Sequence, residues 1–163
     1  RPGDHARDGD GLMSKTLILG VGNLLLSDDG VGVRVIHKLQ EEHTLPAEVE
    51  TVDGGTCGLD LLQFLEGVDH LIVVDAANLG LPPGTIKRLE GDAVPAFLSQ
   101  KVSPHEINLP ELLFSAKLTG IYPKKVVVFG IQPQTIETSL DLSPPVAAQL
   151  DELVDRVLAE LGK

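Results

Sequence analysis

The sequence predicts an α/β domain with a twisted, mostly parallel open sheet and helices on both faces. Three observations predict it. Short apolar runs alternate with amphipathic stretches along the chain, the pattern of strands joined by crossover helices. The run His70–Asp75 is nearly all apolar, as a central strand buried on both faces requires. The C-terminal stretch repeats Val146, Leu150, Leu153, Val154, Val157, Leu158 and Leu161 at helical spacing.

Thr16–Gly20 reads as the first buried strand, and Gly30–His43 as the helix after it, with Val31, Val35, Ile36 and Leu39 on one stripe. Val49–Asp53 is a second strand. The turn Gly54-Gly55-Thr56-Cys57-Gly58 leads to a helix near Leu59–Leu65. His70–Asp75 follows, then Thr85–Leu89 as an edge strand after the turn Pro82-Pro83-Gly84. Leu112–Leu118 reads as a helix ending at Gly120, and Val126–Ile131 as another buried strand. In the last helix Ser143 is placed to cap, Pro144 suits the first helical position, and Asp151, Glu152, Asp155, Arg156 and Glu160 form the polar face.

The chain has 163 residues, enough for one domain with its own core. Aromatics are only 3% of it, so the core must be aliphatic. Residues 1–12, polar and glycine-rich, read as a tag remnant or a disordered arm, and 13–163 as a single domain. The formal net charge of −11 argues against nucleic acid or an anionic membrane as a partner. No apolar run approaches the ~20 residues of a membrane span. A lone cysteine, Cys57, makes no internal disulfide, and the cytoplasm is the expected compartment.

The stretch 17-LILGVGNLLLSDDGVGVRVIHKL-39 begins like a nucleotide site. Gly20-Val21-Gly22 ends an apolar run, but Leu25 stands where G-x-G-x-x-G/A needs a small residue for close helix–strand packing. Asp28 and Asp29 follow, and a carboxylate at a helix N-terminus competes with phosphate for the same N–H groups. Helix capping accounts for one of the two aspartates and leaves the other free.

In open α/β sheets, ligands sit beyond the carboxyl ends of the strands. Asp28 or Asp29, Asp53 and Asp75 are therefore all expected at one rim. Crowded carboxylates repel unless protonated or bridged by a cation. His105, in Ser103-Pro104-His105-Glu106, adds an imidazole. Two carboxylates and a neutral histidine with open positions suit nickel, zinc or a related ion. Against this, Ser103-x-x-Glu106 is also a capping box, with His105 then at the surface. His70 starts a strand and belongs to the opposite end. His37 and His43 read as solvated. Cys57 at a βα turn raises a Cys–His hydrolase alternative, with no base–orienter set beyond His105.

The segment Gly20-Val21-Gly22-Asn23-Leu24-Leu25-Leu26-Ser27-Asp28-Asp29-Gly30-Val31-Gly32 resembles the N-terminal signature of the [NiFe]-hydrogenase maturation endopeptidases. Asp53-Gly54-Gly55-Thr56, Asp75-Ala76 and Lys101-Val102-Ser103-Pro104-His105 are similar to that family's later landmarks, in order and spacing. The resemblance implies a sheet of about five strands. It implies an endopeptidase that removes the C-terminal extension of a hydrogenase large-subunit precursor once nickel is inserted. It further implies that Asp29, Asp75 and His105 are the catalytic and metal-contacting positions and that Cys57 is dispensable. Nickel is then supplied by the substrate, with zinc or cadmium able to take its place in vitro. A non-catalytic nickel chaperone for hydrogenase assembly is the alternative.

Overall fold

The computed structural model describes residues 14–55, 61–98 and 109–162. Five strands form one sheet: β1 (Thr16–Val21), β2 (Val49–Gly55), β3 (His70–Ala76), β4 (Ile86–Glu90) and β5 (Lys125–Ile131). The spatial order is β2-β1-β3-β5-β4, and four of the strands run parallel. β4 lies antiparallel at the edge, against β5. The reason is local. The connection from β3 to β4 forms no helix, so the chain turns at the rim and comes straight back.

The expected three-layer α/β architecture is therefore found. β1 and β3 put alternate residues on opposite faces, as strand geometry demands. Leu17, Leu19, Leu71 and Val73 face one apolar layer with Leu61, Leu65, Val94, Leu109 and Leu112. Ile18, Ile72 and Val74 face the other with Val35, Ile36, Leu39, Leu153 and Val157. The first layer is built by α2 (Leu62–Leu65), α3 (Ala93–Leu98) and α4 (Leu109–Leu118). The second is built by α1 (Val31–Glu42), with α5 (Pro144–Ala147) and α6 (Leu150–Glu160). Among the described residues, no helix is long and apolar enough to cross a membrane.

Four local readings are corrected. Helix α3 was not expected. Its Pro95 falls in the first turn, where the backbone N–H has no helical partner to lose. The C-terminal helix is broken at Ala148-Gln149 into α5 and α6. Ser143 precedes α5 but makes no side-chain cap, because its hydroxyl donates to Asp28 instead. Glu160, placed on the polar face of the last helix, is buried. It accepts from Arg88 Nε and Nη2 on β4, each at 2.8 Å, while Lys125 Nζ lies 3.6 Å away. Helical spacing alone put it on the solvent side. Basic residues on β4 and β5 draw it inward, because a carboxylate is buried only where cations and donors meet it.

Candidate functional site

From β1 the chain runs to β2 on one side of the sheet, and β3 lies on the other side of β1. The connections leaving β1 and β3 thus diverge, and a crevice opens between the carboxyl ends of these two strands. Such a switch point is where ligands bind in open α/β sheets. The loop after β1 and the end of β3 both meet it.

The loop is tightly organised. The Asn23 side chain accepts from the Leu25 N–H at 2.9 Å, and Leu26 N–H donates to the Asn23 carbonyl at 3.0 Å. Asn23 N–H donates to Asp29 Oδ2 at 2.9 Å. Ser27–Gly30 then forms one 3₁₀ turn leading directly into α1. Ser27 has φ +51°, a left-handed conformation that few non-glycine residues adopt. It is held there by its hydroxyl, which donates to the Asp141 carbonyl at 2.7 Å.

Two glycines permit this closure. Gly22 has φ +127°, and a Cβ there would lie 1.9 Å from the Asp29 carbonyl oxygen. Gly32, in the first turn of α1, approaches β3 so closely that a Cβ would lie 2.2 Å from the Val74 carbonyl oxygen. The glycines of this motif serve backbone-to-backbone packing. They bring the Asp29 turn against β3, the strand that carries Asp75.

Asp29 and Asp75 are both fully buried. Asp75 is in register with Gly130 of β5, and by strand alternation its side chain lies on the same face as Leu71 and Val73, toward α2–α4. Asp28, one of the two aspartates that capping would account for, does not cap. It is fully buried and binds the segment after β5. Its Oδ2 accepts from Gln134 N–H at 2.8 Å, Thr135 N–H at 3.0 Å and the Ser143 hydroxyl at 2.7 Å. Its Oδ1 accepts from Ser143 N–H at 2.8 Å. The two neighbouring aspartates therefore differ in role: Asp28 ties down a second loop, and Asp29 stands at the crevice.

Asp53 departs from the common rim. Its carboxylate lies 3.0 Å from His37 Nε2 on α1, with both side chains part-exposed. The backbone explains the divergence. Asp53 pairs with Gly20 and by strand alternation shares the α1-facing side of β2 with Val49 and Thr51, whose hydroxyl accepts from Gln40 of α1 at 3.0 Å. His37 thus has a carboxylate partner where simple solvation was expected. His70 opens β3 at the far end of the sheet, as expected. His105 and Cys57 lie outside the described residues. Among the described residues, no three His, Cys, Asp or Glu side chains cluster to hold a metal.

Gln132, which the sequence did not single out, and Ser143, which it placed as a helix cap, support the loops around the site. The Gln132 side chain accepts from Leu79 N–H on the loop after β3. No spacing rule could have found the partner of either residue, since each acts on a segment remote in sequence.

Comparison with known proteins gives the family. A family model described as hydrogenase maturation protease matches residues 33–160. The hydrogenase 2 maturation protease of Escherichia coli K12 is 40% identical over 148 residues, covering 90% of each chain. The HupD hydrogenase expression/formation protein of Rhodobacter capsulatus is 41% identical, over 90% of this chain and 71% of its own. The solved structure of the E. coli hydrogenase maturating endopeptidase HybD superposes with a TM-score of 0.85, over 90% of this chain and 91% of that one. A hydrogenase 2 maturation peptidase from a Thaumarchaeota archaeon, 35% identical, gives 0.71 over 91% and 99%. A loop of two adjacent aspartates, one tying down a neighbouring loop and one at the switch point, is thus carried on a chain that belongs to the hydrogenase maturation protease family and is a peptide-bond hydrolase.

Proposed function

We propose that this endopeptidase removes the C-terminal extension of a [NiFe]-hydrogenase large-subunit precursor and reads the nickel already held by that precursor. Asp29, Asp75 and His105 are the residues that meet the metal. The observation that carries the reading is the burial of Asp29, in the turn that follows β1, and of Asp75, at the carboxyl end of the adjacent strand β3.

Two carboxylates in one crevice favour a cation. A nickel-loaded precursor brings that charge with it, and a nickel-free precursor does not. Selection is then a difference in binding free energy between the two forms. His105 is included because the motif Lys101-Val102-Ser103-Pro104-His105 resembles the family's landmark. Neutral imidazole and carboxylate are suitable ligands for nickel, and zinc or cadmium would be accepted by the same donors. Docking fixes the scissile peptide against these groups and converts hydrolysis into a positioned attack by water. A carboxylate oxygen of Asp29 or Asp75 left free by the metal is the available general base.

Intact mass of a cognate precursor, with and without inserted nickel, tests this reading after incubation with the enzyme. Loss of a defined C-terminal peptide from the nickel-loaded form alone is expected. Unchanged mass of a verified, nickel-loaded cognate precursor would favour a non-catalytic nickel chaperone.

A further inference from the structure

Apolar side chains exposed on this protein are not scattered evenly. Leu25, Leu81, Ile136 and Leu140 all lie on loops leaving the carboxyl ends of β1, β3 and β5, the rim that carries Asp29 and Asp75. Leu25 is 59% exposed and Leu140 62% exposed. The loops that carry these two are joined by backbone hydrogen bonds. Ser139 N–H donates to the Leu25 carbonyl and Ser27 N–H to the Ser139 carbonyl, each at 2.9 Å. Leu26 and Ser139 form a parallel bridge between them. The Arg34 guanidinium on α1 donates to the Leu140 carbonyl.

These leucines are thus displayed by a hydrogen-bonded platform. Asp28 anchors the same platform from below through Gln134, Thr135 and Ser143. Exposed Glu137 and Asp141 flank the apolar residues. An apolar centre with a polar rim is the anatomy of a protein–protein contact. A rigid platform also lowers the ordering cost of binding.

We infer that Leu25 and Leu140, with Ile136 and Leu81 on loops of the same rim, form the docking surface for the folded body of the large-subunit precursor. The inference rests on the proposed substrate. Its warrant is continuity: a precursor that places its metal at Asp29 must come down over the loop carrying Leu25, because the two residues share that loop. The surface selects the partner protein, and the buried carboxylates read its metal state.

The test measures binding of nickel-loaded precursor by calorimetry and its cleavage by intact mass. It compares the unmodified enzyme, a Leu25→Ser/Leu140→Ser variant and a Phe114→Ser/Leu118→Ser variant. Phe114 and Leu118 are equally exposed but lie on α4. The rim variant should bind at least about tenfold more weakly, the loss of roughly 1.4 kcal/mol. Its thermal melt should be unchanged and the α4 variant should match the unmodified enzyme. Leu25→Met/Leu140→Met should restore binding. Equal affinity of rim variant and unmodified enzyme would overturn the inference. So would equal weakening by both serine variants, or a self-associated enzyme that the rim variant dissociates with precursor binding unchanged. Binding without cleavage by the unmodified enzyme would remove the processing reading and leave the docking surface standing. Failure of the unmodified enzyme to bind its cognate precursor would remove both.

Discussion

The Asp28 carboxylate accepts from both the backbone N–H and the hydroxyl of Ser143, at 2.8 and 2.7 Å, across 115 residues of chain. With Gln134 and Thr135 N–H also on Oδ2, four donors converge on one buried carboxylate. Asp28→Asn keeps the shape but replaces one acceptor oxygen with a donor. That donor would face N–H groups already pointing inward. A loss of about 2 kcal/mol is expected, the cost of buried donors left without an acceptor. Urea unfolding of the variant measures it, and a stability equal to that of the unmodified protein would show the clamp to be dispensable.

Gly32 marks the closest approach of α1 to β3. Gly32→Ala would drive a methyl group into the Val74 carbonyl. Overpacking of this kind costs about 1–3 kcal/mol. Because backbone is pressed on backbone, α1 must shift, and the Asp29 turn at its start moves with it. A lowered melting temperature together with reduced precursor processing is the expected pair of results. Lowered stability with full processing would show that the crevice tolerates the shift.

For the proposed site, Asp29→Asn, Asp75→Asn and His105→Ala should each reduce processing of nickel-loaded precursor by about two orders of magnitude or more. Far-ultraviolet circular dichroism should remain that of the folded protein. Cys57→Ala should process normally. Any of the three variants that is folded and fully active removes its residue from the site.

His70 predicts a pH dependence of stability. Burial, and then Lys125, lower its pKa from the ordinary value near 6.5, outweighing Glu160 and Glu90. Well above that value the ring is neutral in both folded and unfolded chains and adds no slope. As pH falls through it, the unfolded chain takes up the proton first, so folding stability declines. The decline from this residue stops only once the folded state is protonated too. His70→Gln removes the titration. Urea unfolding at about pH 7.5 and about pH 5.5 should therefore show a smaller acid loss for the variant than for the unmodified protein. An identical loss in both would assign the acid sensitivity elsewhere.

Periodicity made most of the fold legible. A run such as Leu71–Val74 can satisfy its apolar character only inside a sheet covered on both faces, and it lies there. The stripe Val31, Val35, Ile36 and Leu39 can be buried only as one helix face, and all four are buried in α1. These are local patterns with a single physical solution. The short helix α3 was missed because one and a half turns containing a proline carry little periodicity.

Part of the site was equally legible, and for a chemical reason. Adjacent aspartates after a strand, and a third at the end of another, crowd negative charge at one rim whatever the details of packing. What the sequence by itself determined was therefore the α/β class, the rim, and the set of acids that could occupy it. Only the tertiary structure decided how those acids divide. Asp28 meets donors from residues 134, 135 and 143 and becomes an anchor. Asp53 faces α1 by strand alternation and meets His37 there. Asp29 and Asp75 remain at the switch point because Gly22 and Gly32 let backbone approach backbone. Glu160 is buried because Arg88 and Lys125 reach it from neighbouring strands. A carboxylate's role is set by which donors and charges surround it, and here those partners come from distant segments that only the folded chain brings together.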